Sequence, residues 1–203
     1  MKNTVITIGR QFGSGGHEVG VRLAEKLGIK FYDKELVEMI AKDGGLESQF
    51  LHDHDEKAPT PIYPVMPGFA MPIFYQQAPS DIVYTEQSKL IKKLAEDGPC
   101  VIVGRCADYV LKDFGVVNCF IYAELDDRIN RKFSMVPEGL SFTKDDIKKR
   151  IEDVDRKRAR YYEYYTDRSW GTMEGYDICV STSKVGIDGA VATISAFVEH
   201  CAD

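Results

Sequence analysis

The 203-residue chain predicts an α/β fold, a mostly parallel sheet flanked by helices, on three observations. Short β-branched, apolar runs alternate with segments of helical periodicity nearly throughout. Cys100–Val103 is continuously apolar between breakers, and Val116–Ala123 nearly repeats that pattern, as strands buried on both faces do. The first apolar run passes directly into a glycine-rich loop and an amphipathic helix. In that succession glycines let the backbone curl around an anion, and a helix N-terminus offers N–H groups and a positive dipole end.

Val5–Ile8 opens the sheet. A helix follows from about Gly16 to Leu27, where Val19, Leu23, Ala24 and Leu27 share one face and Gly28 is placed to end it. Ile29–Tyr32 reads as a short second strand. Asp33 can cap a helix over Lys34–Lys42, stopped by Gly44-Gly45. A long helix over Ser80–Glu96 breaks at Asp97-Gly98-Pro99, and Cys100–Val103 is the third strand. Val116–Ala123 leads into a helix over Leu125–Met135, and Asp177–Val180 with Ile187–His200 form the last strand and helix. The length suits one domain, 1–203, with room for a lid or small insertion. Residues 57–79 interrupt the alternation with six prolines, at 59, 61, 64, 67, 72 and 79. The stretch is too apolar for a typical disordered linker and reads as an irregular insertion or flap. A substrate-site flap, a family-specific insertion and a homo-oligomer contact are three readings that stay open.

Composition excludes several classes. The net charge of −6 argues against a general binder of nucleic acid polymers. No apolar run reaches the ~18–20 residues that span a bilayer, and the N-terminus runs directly into a strand with no signal-peptide layout. The expectation is a cytoplasmic protein with no membrane partner. The five cysteines, at 100, 106, 119, 179 and 201, form no Cys-x-x-Cys pair, which disfavours zinc and dithiol chemistry and fits a reducing compartment. Cys100, Cys119 and Cys179 are expected in buried strands as small hydrophobes. Residues 144–160 hold eight Lys/Arg and five Asp/Glu on an otherwise acidic chain. This is either a focused anion site or a solvated helix laced with i,i+4 ion pairs.

The chemistry concentrates in Gly9-Arg10-Gln11-Phe12-Gly13-Ser14-Gly15-Gly16-His17. A Walker A loop would carry Lys-Ser/Thr after its glycines, and none is present. A dinucleotide fingerprint begins with Gly13-Ser14-Gly15, but Glu18 stands where a third small residue belongs. Asp33, twenty residues after Gly13, sits where a ribose-binding acid would. Both loop types therefore match imperfectly. Arg10, inside the loop on this reading, is the candidate to supply the missing cation. His17 and Glu18 occupy the region where a hydroxyl would meet Mg²⁺, with capping of the helix dipole the plainer role for Glu18. Gly104-Arg105 closes the third strand and puts a fixed cation over the cleft, unless Arg105 is a surface residue paired with Asp108. Arg128 and Arg131 share a helix face, as do Arg156 and Arg160, with Arg158 roughly opposite. Arginines converging on one cleft would stabilise a transferring phosphoryl group.

These segments, with Phe31-Tyr32-Asp33-Lys34, Val101 to Asp108, Asp155 to Tyr162, Trp170-Gly171 and Tyr176 to Cys179, resemble the cytidylate kinase-like proteins over almost the full length. These are relatives of bacterial cytidylate kinase among the P-loop nucleoside monophosphate kinases. The resemblance implies a P-loop kinase fold with an arginine-rich helical lid over about 136–168, and ATP and Mg²⁺ as donor and cofactor. It implies donor-phosphate binding by Gly13, Ser14, Gly15 and Gly16, puts Asp33 and Arg105 on the acceptor side, and matches Arg156 and Arg158 to the lid that closes over the phosphates. The residues themselves add Gly9 and His17 to the phosphate loop, Arg128 to the acceptor side, and Arg10 beside Arg156 and Arg158 as catalytic groups. Two positions depart from true cytidylate kinases: Gly16 replaces the loop lysine, and Val103 replaces the acid before Gly-Arg. The leading expectation is phosphoryl transfer from ATP to a nucleoside monophosphate or similar small acceptor. A nucleotide-binding regulator or pseudokinase without turnover is the first alternative, and a dinucleotide-dependent enzyme the second.

Overall fold

A computed structural model describes residues 4–33, 35–44, 48–59, 78–137 and 139–201. Five parallel strands, β1 (Val5–Arg10), β2 (Lys30–Tyr32), β3 (Cys100–Val103), β4 (Val117–Tyr122) and β5 (Ile178–Ser181), form one sheet in the order β2-β3-β1-β4-β5. The helices are α1 (Gly16–Leu27), α2 (Glu35–Gly44), α3 (Ser48–His54), α4 (Pro79–Asp97), α5 (Ala107–Val110), α6 (Leu125–Phe133), α7 (Lys144–Thr166) and α8 (Thr182–Cys201). On its way from β3 to β4 the chain crosses β1, so the order of strand addition switches sides there and leaves a crevice beyond the strands' carboxyl ends.

Period-two alternation divides the core between the sheet's two faces. Val101 and Val103 face α1 and α8, packed with Ile6, Ile8, Leu23 and Ile194. Cys100 and Ile102 face the opposite way, against Leu36, Leu51, Val83, Ile91 and Leu111. Gly28 ends α1 in the left-handed conformation and returns its N–H to the helix's last carbonyls. Thr143 and Asp146 form a reciprocal capping box that starts α7. One half of α7 packs Ile147 and Ile151 against Ile129, and the other packs Tyr161 and Tyr162 in an aromatic cluster with Tyr84, Tyr165 and Trp170.

Several boundaries differ from the sequence reading. β1 runs two residues further, so Arg10 is its last strand residue and not a loop residue; it pairs with Ile121 of β4. α3 and α5 are too short to impose a periodicity legible in sequence. α8 begins at Thr182 and breaks at Gly186, where the backbone leaves helical angles. Cys179 is exposed, because β5 is an edge strand and its residue 179 faces away from the packed layer. The expected lid segment holds one continuous helix over 144–166. Most of the expected flap, residues 60–77, lies outside the described residues.

Leu23 is fully buried between α1 and the sheet. Leu23→Ala is expected to lower stability by about 2–5 kcal/mol through lost burial and the cavity left behind. Chemical denaturation measures it.

Candidate functional site at the glycine loop

A cavity of about 550 Å³ lies at the crevice, lined by the glycine loop, Arg10, His17, Asp33, Asp55, Glu56, Arg105, Arg131, Lys132 and Arg158. The loop leaves β1 through the Gln11 N–H, which donates to the Ile121 carbonyl at 3.0 Å. It then turns through Gly13 and Gly15, both left-handed, into α1. Its walls are held from outside. The Arg128 Nε donates to the Phe12 carbonyl at 2.9 Å, and the same guanidinium pairs with Asp155. An Asp155 oxygen accepts the Phe12 N–H at 2.7 Å. Arg131 donates to the Gly13 carbonyl at 2.8 Å. The buried Ser14 hydroxyl donates to the Gln11 carbonyl at 2.9 Å, and Thr182 donates to the Ser14 carbonyl at 2.7 Å. These bonds hold the loop's shape without a ligand.

Arg10 accounts for the missing lysine. A Cβ built on Gly16 would lie 2.5 Å from the Cβ of Arg10, a separation side chains do not tolerate. The arginine stem fills the space above the first turn of α1. Its Nη1 donates to Glu56 at 2.9 Å, and Nη2 lies 3.7 Å from Asp33. Gly104 is under the same constraint, since a Cβ there would meet Arg10 Nη1 at 2.2 Å and Glu56 at 2.7 Å. Gly104, Arg105 and Cys106 all have positive φ, which turns the chain back so that Arg105 points into the cleft.

Three arginines and three carboxylates interlock there. Arg105 Nη1 donates to Asp33 at 2.5 Å and to the Val103 carbonyl at 3.3 Å, and its Nε and Nη2 bind Asp55 at 3.2 and 2.6 Å. Arg158 reaches Glu56 at 3.4 Å and donates to the Arg10 carbonyl at 3.1 Å. His17 Nδ1 lies 2.7 Å from the second Asp33 oxygen. Burial alone would raise the carboxyl pKa of Asp33 and Glu56, but the flanking Arg10 and Arg105, joined by Arg158 at Glu56, outweigh it and hold both below the ordinary range. Burial and the neighbouring Arg10 push Arg158 down to about 10, so it keeps its charge at neutral pH.

Gly13, Gly15, His17, Asp33, Arg10, Arg105 and Arg158 thus meet at one cleft, while Gly9 sits behind it against Phe120 and Tyr176 and Gly16 is buried under Arg10. Ser14 departs from its phosphate-binding expectation, buried with its N–H and hydroxyl both donated to the Gln11 carbonyl. Arg128 is placed differently from its acceptor-side expectation: its buried guanidinium braces the loop from behind. Arg156 also falls outside the cavity lining, exposed and paired with Asp153 on its own helix. Asp108 accepts from Tyr162 and is not the partner of Arg105. Asp55 and Glu56 were not legible as site residues. The acid-rich run His52-Asp53-His54-Asp55-Glu56 is the signal in sequence, but nothing local ties it to arginines about fifty and a hundred positions away.

A glycine loop at the switch point of a five-strand parallel sheet, with cations gathered at its mouth, agrees with the comparison to known proteins. Residues 5–184 match the cytidylate kinase-like family. The chain belongs to that family. Among solved structures, this cytidylate kinase-like chain is similar to an uncharacterized protein from Eubacterium ventriosum, 29% identical with TM-score 0.72, covering 97% of this chain and 98% of that one. It is also similar to shikimate kinase from Bacteroides thetaiotaomicron, 15% identical with TM-score 0.58 over 97% and 98% of the two chains. Shikimate kinase from Acinetobacter baumannii, solved with shikimate, is 14% identical with TM-score 0.54 over 100% and 97%. The last two likenesses show the P-loop kinase fold. No curated protein matches the chain. Family membership supports a kinase of nucleotides or other small molecules in general. No described helix of this cytidylate kinase-like chain is long and apolar enough to cross a membrane.

Mg²⁺, which the family implies, finds no protein ligand set among the described residues. Both oxygens of Asp33, Asp55 and Glu56 already serve cationic or hydrogen-bonding side chains, Glu18 pairs with Arg22, and Ser14 is buried in the loop. The side chains present do not fit a protein-held metal, and no step is derived through one.

Two outcomes are expected of this geometry. Gly16→Lys, which would restore a standard loop, should lower stability by about 1–3 kcal/mol through the collision with Arg10. Combined with Arg10→Gly it should cost less than the two separate losses summed, in a denaturation cycle. Asp33 and Glu56 have folded pKa values below their unfolded ones of about 4, so their stabilisation is complete above that pH and lost as acid approaches the folded values. Melting temperature should therefore fall from about pH 4 downward, and Glu56→Gln should flatten that fall.

Proposed function

We propose that this chain is an ATP-dependent phosphotransferase of the nucleotide-kinase type, acting on a nucleoside monophosphate or similar small acceptor. The observation that carries the reading is the arginine stem packed over Gly16, which brings a strand-borne cation to the position where a standard loop carries its lysine. In this reading the N–H groups of Gly13, Gly15 and Gly16 and the Arg10 guanidinium hold the donor phosphates, with Arg131 and Lys132 at the mouth. Arg158 faces the charge that develops on the transferring group. The acceptor oxygen bonds to the γ-phosphorus as the bond to ADP breaks, ADP leaves with the electron pair, and the acceptor's proton is released. Arg105 and Asp33 belong to the acceptor half. Arg128 positions the loop, and the exposure of Arg156 leaves the catalytic share of α7 to Arg158. ATP as donor and Mg²⁺ as its companion come from the family. The lid role of residues 136–168 is part of the same proposal, as is a single domain over 1–203.

The regulator reading has one specific support: in this structure carboxylates occupy the cleft arginines, and Val103 supplies no acid. Turnover separates the two. The dinucleotide reading loses its ribose-binding acid, because Asp33 is turned inward to Arg105 and His17.

Arg10→Ala should weaken ATP binding about ten- to a hundredfold, the worth of a charge-assisted contact, in a calorimetric titration. Unchanged affinity would sink the role given to Arg10. Coupled ADP release across CMP, dCMP, UMP and nucleosides should reveal turnover with one of them, and binding without any turnover favours the regulator.

A further inference from the structure

The acceptor half of the cleft has an unusual charge balance for a site that receives a phosphate. Arg105, the cation placed there, has a side chain only 3% exposed and makes four hydrogen bonds inside the protein. Two of them form a bidentate pair with Asp55, the fork geometry that would otherwise hold a phosphate. Asp55 is not a passing neighbour. Its carboxylate also accepts from Gln87 at 2.8 Å, and Gln87, which is 1% exposed, is held in turn by the buried Tyr161 hydroxyl. The aspartate is therefore anchored from the core side independently of Arg105. Glu56, beside it, adopts a left-handed backbone and turns its carboxylate into the same cavity. Once Arg10 turns to the donor phosphates and Arg158 to the transferring group, the acceptor half holds, among the described residues, Asp33, Asp55 and Glu56 against Arg105, with His17 beside Asp33. A phosphomonoester there would have to displace a buried ion pair and sit among three carboxylates, a juxtaposition of like charges that opposes its binding.

We infer that the acceptor is a phosphate-free alcohol, neutral or positively charged, and that Asp55 and Glu56 are the residues that reject nucleoside monophosphates. The inference rests on the kinase reading, keeps its transfer from ATP to a small acceptor, and sets the nucleoside monophosphate aside. Family resemblance points to a nucleotide acceptor, whereas the charges of this cleft select against its phosphate. Specificity of this sort is achieved by repulsion as much as by attraction.

The test is calorimetric titration of the full chain, first with ADP and Mg²⁺ and then, in the ADP-saturated state, with CMP, UMP, AMP and GMP. Wild-type protein should bind none of the four more tightly than about 1 mM. Asp55→Asn combined with Glu56→Gln should bind at least one of them about tenfold or more tightly than wild type does. Glu56→Gln alone, which leaves the Asp55–Arg105 pair intact, gives a smaller gain in the same direction and serves if the double variant does not fold. Tight monophosphate binding by wild type would overturn the inference, and so would variants that gain nothing, since the carboxylates would then not be what excludes the phosphate. ADP binding in the first titration, together with ADP release in the coupled assay, tests the kinase reading separately, so the two failures are distinguishable.

Discussion

The Arg10 side chain lying over Gly16 is the contact on which the site is built. One backbone position can carry a side chain into that space, or the end of β1 can, but not both, because the two Cβ atoms would be 2.5 Å apart. Here the strand supplies it. The cation consequently comes from the sheet, a rigid element, and not from the first turn of the helix. Its guanidinium then crosses Gly104, whose left-handed backbone favours a second glycine at the end of β3. The same turn that Gly104 permits brings Arg105 back into the cleft. Arg10 at the end of β1, Gly16 at the start of α1, and Gly104 and Arg105 just beyond β3 therefore form one steric unit.

Electrostatics follows from that unit. Buried guanidinium groups without partners are costly, and breaking a buried pair costs about 3–5 kcal/mol. Asp33, Asp55 and Glu56 meet this demand, and they arrive from the end of β2 and the end of α3, two elements on the same side of the sheet. The pairing fixes side-chain positions before any ligand arrives, which is what a site reliant on electrostatic positioning needs. The loop is braced in the same way from its other side by Arg128 and Asp155, whose bonds to Phe12 tie it to α6 and α7.

Much of this was legible in the sequence, for physical reasons. Val101 and Val103 against Cys100 and Ile102 obey the two-residue alternation, and Val19, Leu23 and Ala24 the helical one, so the central layers could be read directly. The glycine loop and Arg105 announced themselves because glycine and arginine at strand ends have few other uses. Arg10 was singled out, though its place on the strand was not foreseen, because a strand end has no sharp signal of its own. The roles of Arg128 and Arg156 depended on the direction a helical side chain takes in three dimensions, and helix-face spacing alone did not carry that. Asp55 and Glu56 were invisible because their meaning lies wholly in partners distant along the chain. Cys179 went astray because nothing local marks a strand as an edge.

The most direct measurement of the central claim is a crystal structure of the chain with ADP bound. In it the Arg10 guanidinium should lie within about 3 Å of a β-phosphate oxygen, with Gly16 passing beneath its stem. A nucleotide whose β-phosphate is met only by loop N–H groups and by Arg131 or Lys132, with Arg10 still joined to Glu56 and away from it, would contradict the account.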